Sequence, residues 1–307
     1  MRTSTVIVTN DGDLTADSVV RHMDPDTVIR LDPADLHTDY IITASLDAEG
    51  GWHTIIETPH RAIEVGPGTS VWWRKPTMPE GIQDDDEAWV ADENQAALLG
   101  LLRAARVRIW VNDPDTAARA GLKAPQLTLA RRLGLNTPET LITNDPLAAA
   151  KFVQRYQDVV VKAMRQKRTL FIPTTTVLPG ADLSDVAGAM HQFQRRIDKA
   201  WDARIVAIGE RLFPVKIVAP GLDVRTARRE DQSYSAMAVP GHIAKALRTY
   251  MREERLTYCA FDFVGDAAGA WYFLEANPGG EFLYLQEATG MAMARAMAEY
   301  LHQRPAW

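Results

Sequence analysis

Residues 259–280 read CAFDFVGDAAGAWYFLEANPGG. Two apolar runs flank a Gly-Asp-Ala-Ala-Gly break. A break of that length joins strands as a hairpin, so the flanking segments are antiparallel neighbours in one sheet. ARIVAIGERLFPVKIV, residues 203–218, repeats the pattern around Gly209-Glu210, and YIITASL and WHTIIE flank Asp-Ala-Glu-Gly-Gly in a third case. Apolar residues at helical spacing lie between them, in DDDEAWVADENQAALLGLLRAARV and HIAKALRTYMREERL. Mixed helices and antiparallel hairpins make the class α+β or α/β, with α+β preferred.

The rest of the chain divides by its breaks. Residues 1–112 read as a small α/β domain without an obvious catalytic cluster. Residues 113–190 form a central unit, and 191–307 a C-terminal one. One helix is expected from Ala117 to Leu133, one from Asp182 to about Phe193 and one over residues 287–302. VVVKAM is a buried strand holding Lys162, and RTLFIPTTTVL is a strand pair or flap.

The 307 residues exceed what one core needs. A net charge of -6 argues against general nucleic-acid or bilayer-surface binding. Cys259 is the single cysteine, which rules out an internal disulfide and suits a reducing cytoplasm. The N-terminus lacks the apolar core of a signal peptide, and no apolar run reaches the roughly 20 residues of a bilayer span.

The chemistry begins with LEANPGG, residues 274–280. Alternate strand residues share a face, so Glu275 and Asn277 aim one way while Leu274 and Ala276 aim the other. If Val264 lies opposite Trp271, Ala260 lies opposite Glu275, and Asp262 is a diagonal neighbour roughly 7–8 Å away between Cα atoms. Two carboxylates and an amide oxygen suit Mg²⁺. No His or Cys stands at zinc spacing. The plainer alternative is a set of solvated strand-end polar groups, which the aromatic and aliphatic surroundings disfavour.

Lys162 ends a Val-Val-Val run and must reach an anion or solvent. Lys123 by itself reads as a solvated helix lysine. Asp202 and Arg204 share a strand face and on spacing alone read as a surface ion pair. There is no G-x-x-x-x-G-K-[ST], no G-x-G-x-x-G after a strand and no G-x-S-x-G. Any nucleotide site must therefore rest on lysines, a hinge and acids.

That order of parts resembles the ATP-grasp ligases, and within them the maturases that crosslink graspetides, the microviridin-type ribosomal peptides. The matching stretches are SVWWRKP, NDPDTAARAGLKAPQLTLARRLGLNTPETLITN, VVVKAM, FQRRIDKAWDARIVAIGERLFPVKI, GLDVR and CAFDFVGDAAGAWYFLEANPGGEFLYLQEATG. The resemblance implies an ATP-grasp fold with an N-terminal pre-ATP-grasp domain, and ATP and Mg²⁺ as cofactors. It implies Lys123 and Lys162 as nucleotide lysines, Gln194, Arg196 and Ile197 in the adenine hinge, and Asp202 on the ribose. Asp262, Glu275 and Asn277 match the magnesium ligands. Arg204, Lys216 and Arg225 are candidates for the phosphates and an acyl phosphate. Trp72-Trp73-Arg74-Lys75-Pro76 matches a family feature without an assigned role. RQKRTLF, after Lys162, lacks the glycines of many ATP-grasp flaps. The implied partner is a ribosomal precursor peptide, with a homodimer as the assembly. A ligase that adds a free amino acid to an acceptor would share every residue named.

Overall fold

The computed structural model describes residues 3–36, 38–76, 84–165 and 171–302. Most of RQKRTLF, residues 166–170, lies outside that set. In chain order the elements begin with β1 (Ser4–Thr9), α1 (Leu14–Val20), β2 (Val28–Leu31), β3 (Ile41–Leu46), β4 (Trp52–Thr58), β5 (Arg61–Val65), β6 (Thr69–Lys75), α2 (Asp85–Ala104) and β7 (Ile109–Val111). Strands β2-β1-β6-β7 form a parallel sheet, and β3-β4-β5 an antiparallel meander beside it.

Next come α3 (Pro114–Ala120), α4 (Lys123–Arg132), β8 (Thr140–Thr143), α5 (Pro146–Tyr156), β9 (Val159–Lys162), β10 (Thr175–Val177) and β11 (His191–Arg195). The four strands pair antiparallel in the order β10-β9-β11-β8. The chain finishes with β12 (Lys199–Ile208), β13 (Arg211–Val218), β14 (Ser233–Ala236), α6 (Gly241–Glu254), β15 (Tyr258–Asp266), β16 (Trp271–Asn277), α7 (Leu283–Thr289) and α8 (Met293–His302). These strands make a five-stranded antiparallel sheet, β14-β13-β12-β15-β16.

Three expected helices differ. The span Ala117–Leu133 breaks at Gly121-Leu122 into α3 and α4, which puts Lys123 at the first turn of a helix instead of on a mid-helix face. The span from Asp182 holds only a 3₁₀ turn, Ser184–Gly188, before β11. Phe193 and Gln192 are buried there as strand residues, a demand of tertiary pairing that helical spacing cannot register. The last helix is two, α7 and α8, separated at Gly290 with φ 72°.

The five-stranded sheet has two different faces. Ala203, Ile205, Ala207, Phe261, Phe263 and Phe273 pack against α4 and α6 on one. On the other, Val206, Ile208, Val215 and Tyr258 join Ile7, Val19 and Trp72 of the first domain and Phe282, Met293 and Met297 of the C-terminal helices in one shared core. The central four-stranded sheet has its own small core, with α5.

Candidate active site

A single face of β12 carries Asp202, Arg204, Val206 and Ile208 in alternation. The last two belong to the shared core, and the first two do not. The hydrophobic filling therefore stops halfway along the strand. The remaining half floors a cavity of about 610 Å³ whose other walls come from β9, β11 and the loop around Asp223.

The hairpin β15–β16 supplies the acids. Asp266 closes its turn by accepting from Ala270 N at 2.9 Å, and Gly269 takes φ 85°. The register differs from the expected one. Val264 pairs with Tyr272, and a bulge between Asp262 and Phe263 shifts the ladder again, so that Asp262 stands directly opposite Glu275 instead of diagonal to it. Phe273 and Ala276, three residues apart, both face the core, while Leu274, expected to point away, lines the cavity as the extra residue. Sequence alternation alone gives no sign of this bulge.

The following Asn-Pro-Gly-Gly loop is held from three sides. Buried Asn112 donates to the carbonyl oxygens of Tyr258, at 2.8 Å, and Pro278, at 3.0 Å. Gly279 N donates to Asn277 Oδ1 at 3.0 Å. A Cβ on Gly280 would come within 2.5 Å of the Ala260 Cβ, so only glycine fits. Gln126 of α4 donates to Ala276 O and accepts from Ala276 N, at 2.7 and 3.1 Å, fixing the strand between Glu275 and Asn277.

Charges fill this pocket in pairs. Arg204 grips Asp262 with two bonds, Nε to Oδ1 at 2.7 Å and Nη2 to Oδ2 at 2.8 Å, and its Nη1 donates to Tyr284 Oη at 3.2 Å. Lys123 Nζ lies 3.4 Å from Glu275 Oε2. Lys199 Nζ donates to Asp202 Oδ2 at 2.6 Å. Arg225 binds Asp223, which also accepts from Thr174 N at 3.2 Å. Arg196 pairs with Asp158 at the cavity rim. Buried Gln194 donates to Thr140 Oγ1 at 3.0 Å and leaves its amide oxygen without a partner.

Burial pushes the Asp262 carboxyl above the usual carboxylate range, against the pull of Arg204. Burial pushes Glu275 the same way, but Lys123 and Lys162 outweigh it and hold this carboxyl low. Asp202 is raised by burial despite Lys199. Asp223 is brought to about 2, its burial outweighed by bonds from Arg225 and Thr174. The Lys162 ammonium is lowered from 10.5 to about 8, chiefly by burial, with Lys123 adding repulsion and Glu275 opposing it.

Lys162 yields a pH prediction with two opposite arms. Folding disfavours its charged form, so without ligand the unfolded chain binds more protons and stability rises as pH climbs from about 8 toward 10.5. A nucleotide phosphate held by Lys162 would need the charge, so affinity for it should fall as the ammonium deprotonates, by about tenfold between pH 7 and 9. Fluorescence titration with an ADP analogue measures the second arm. Lys162→Met should bind weakly with a flat profile.

Lys123, Lys162, Gln194, Arg196, Ile197, Asp202, Arg204, Arg225, Asp262, Glu275 and Asn277 all line the cavity. Lys216 does not. It stands opposite Ala203, whose side chain packs toward α6, so it faces the other side of the sheet. The candidate phosphate role for Lys216 is corrected on that ground: its strand parity opposes that of Arg204. Residues the sequence did not single out include Lys199, Asp223, Gln126, Tyr284 and Glu281. GLDVR and NPGGEFLY contained three of them, but no spacing rule tells a buried loop Asp or a cavity-lining Tyr at a helix start from an exposed one.

Among the described residues no three His, Cys, Asp or Glu side chains cluster at metal-ligand spacing. The available set is two carboxylates and Asn277 Oδ1, each placed by β15, β16 or the loop. An all-oxygen set with incomplete coordination fits Mg²⁺, which takes its remaining ligands from water and phosphate.

Comparison with solved structures decides the architecture. The macrocyclase MdnC of Microcystis aeruginosa MRC, solved with the precursor peptide MdnA, superposes with a TM-score of 0.84 at 24% identity, covering 98% of this chain and 100% of its own. A ribosomal-peptide-associated ATP-grasp ligase of Chryseobacterium gregarium, in complex with ADP and a leader and core peptide, gives 0.83 at 22% identity over 98% and 96%. The chain has the ATP-grasp fold. The ATP-grasp ligase PsnB, complexed with a minimal precursor, Mg and ADP, gives 0.77 at 20% identity over 98% and 97% of the two chains. No protein-family model and no curated protein matches the sequence. In this ATP-grasp fold the cavity lies between the central sheet and the five-stranded sheet.

Proposed function

We propose that this chain is an ATP- and Mg²⁺-dependent carboxylate ligase that closes rings in a ribosomal precursor peptide. The observation that carries the reading is the row on one sheet face: Asp202, then Arg204 with Asp262 and Glu275, then Asn277, faced by Lys123 and Lys162 across one cavity. Full-length similarity to a macrocyclase and to two ATP-grasp ligases, each solved with a precursor or leader and core peptide, supports the substrate class.

A carboxylate is a poor electrophile, and phosphorylation gives it a good leaving group. Bound Mg²⁺ supplies charge neutralisation at the transferring phosphoryl group. Asp262, Glu275 and Asn277 would hold the ion, and Lys123 and Lys162 would take the nucleotide phosphates. The segment Gln194–Ile197 receives the adenine, with Gln194 Oε1 offering an acceptor, and Asp202 accepts from the ribose. Arg204, oriented by Asp262, and Arg225, oriented by Asp223, stabilise negative charge as the acyl phosphate forms. Attack by a Thr, Ser or Lys side chain of the peptide then yields a lactone or lactam, ADP and phosphate. Gly265, on which the Trp201 ring lies so closely that a Cβ would come within 1.9 Å of it, keeps the strand beside Asp202 in place.

The reading includes a homodimer and a cytoplasmic location. Ile41 and Ile55 are exposed on the same face of the outlying meander, a surface a second copy would cover. A monomeric mass in sedimentation would remove the dimer. Among the described residues no helix is long and apolar enough to cross a membrane.

The deciding experiment incubates the protein with ATP, Mg²⁺ and a candidate precursor peptide that carries Asp or Glu together with Thr, Ser or Lys, read by mass spectrometry. Loss of one water per ring, with matching ADP release, is expected. Gain of whole amino-acid masses would replace this reading with that of an amino-acid-adding ligase. Absence of any peptide-dependent ADP would overturn both.

A further inference from the structure

The site face has a direction. Lys199 and Asp202 stand at the end next to Ile197, Arg204 with Asp262 and Glu275 in the middle, and Asn277 with the Pro278–Glu281 loop at the far end. A triphosphate with its base at the Gln194–Ile197 segment therefore points its terminal phosphoryl group toward that loop.

Lys75 meets it there. Among the described residues it is the sole member of the first 112 that lines the cavity. It ends β6, where a register shift opposite Thr9 closes the strand pair. Its carbonyl oxygen accepts from Asn10 N at 2.9 Å and from Asn10 Nδ2 at 3.2 Å, which fixes its backbone. Its ammonium pairs with Glu281. Glu281 is itself anchored by Arg74 and by Thr15 Oγ1 at 2.6 Å. Arg74 is wholly buried, with its Nε 2.7 Å from Asp13 Oδ2, and Asp13 is bonded by Thr9 at 2.6 Å. Arg74 is thus spent on structure. The Lys75 side chain remains 40% exposed.

Arg204, Lys123 and Lys199 are held by carboxylates of the row itself, Asp262, Glu275 and Asp202, whereas the partner of Lys75, Glu281, lies beyond the row and is shared with Arg74. We propose that Lys75 is a specificity-determining residue that grips the acidic side chain of the acceptor peptide beside the terminal phosphoryl group. This rests on the ligase reading above. A carboxylate oxygen of the acceptor attacks the terminal phosphorus, the bond from that phosphorus to the bridging oxygen breaks, and ADP leaves with the electron pair. No proton moves in this step, and Lys75 stays charged throughout. Glu281 holds the ammonium in position until an acceptor carboxylate shares it. The Trp-Trp-Arg-Lys stretch then has a division of labour: Arg74 fastens the loop, and Lys75 reads the substrate.

The test uses full-length Lys75→Met and Lys75→Arg with MgATP and the peptide described above. Lys75→Met should lower kcat/KM for the peptide by about a hundredfold, mainly through KM, while affinity for a non-hydrolysable ATP analogue stays within about twofold. Lys75→Arg should recover most of the loss, and both variants should melt with the wild type. Processing by Lys75→Met at the wild-type rate overturns the proposal and leaves the ligase reading standing. An equal loss of ATP-analogue affinity also overturns it, since the contact would then be to nucleotide. If the wild-type protein ignores the peptide, the ligase reading fails first and Lys75 with it.

Discussion

Glu275→Gln should leave the protein folded and lower peptide-dependent ADP release by about a thousandfold, equivalent to roughly 4 kcal/mol of transition-state stabilisation. The side chain keeps its size and one hydrogen-bonding oxygen, so the Gln126 clamp and the bulge at Leu274 are undisturbed. What is lost is the negative charge that balances the two lysines and, in the proposed reading, would draw in Mg²⁺. Lys123, 3.4 Å away, would then face Lys162 without compensation. Near wild-type turnover with magnesium as the sole metal would remove Glu275 from the metal set. Circular dichroism and thermal melts check that the loss is chemical.

The second large effect is on stability. Arg204→Met should destabilise by about 3 kcal/mol, because it strands the Asp262 carboxylate in a site that already disfavours charge. That figure is at the low end for a broken pair, since Arg204 and Asp262 side chains retain 16% and 23% exposure. For a chain of this size the melting temperature should fall by roughly 5–10 °C. Added Mg²⁺ should return part of it by neutralising Asp262. The double variant Arg204→Met/Asp262→Leu should be more stable than Arg204→Met alone, since it removes the stranded charge. A single variant as stable as the wild type would show that water reaches Asp262 freely.

The hairpins were legible because alternation and turn residues are local. CAFDFVGDAAGAWYF and ARIVAIGERLF name their own strands, and both strands formed. The helix break was marked by Gly121 and by Pro125, which stands in the first turn of α4, but the Ala, Leu and Arg spacing on either side masked it. Tertiary pairing alone turned the segment before Gln194 into β11. The acids of the site were visible by strand parity, and Lys216 fails by the same rule, since it pairs with Ala203 and so faces away from Arg204. The bulge that sets Asp262 against Glu275 depends on two strands at once, which a single line of residues cannot express. Lys75 and Glu281 are a further step removed: 206 residues separate them, and nothing local marks one as the other's partner.

The shared core has a mechanical consequence. α1, α7 and α8 bury their apolar sides together, so the opening stretch of the polypeptide and its closing stretch behave as one rigid frame. The four strands β8–β11 with α5 keep a separate, smaller interior. If the proposed nucleotide site must open to fill, the separate interior makes this middle the part that can shift as a unit with least disturbance to the shared core.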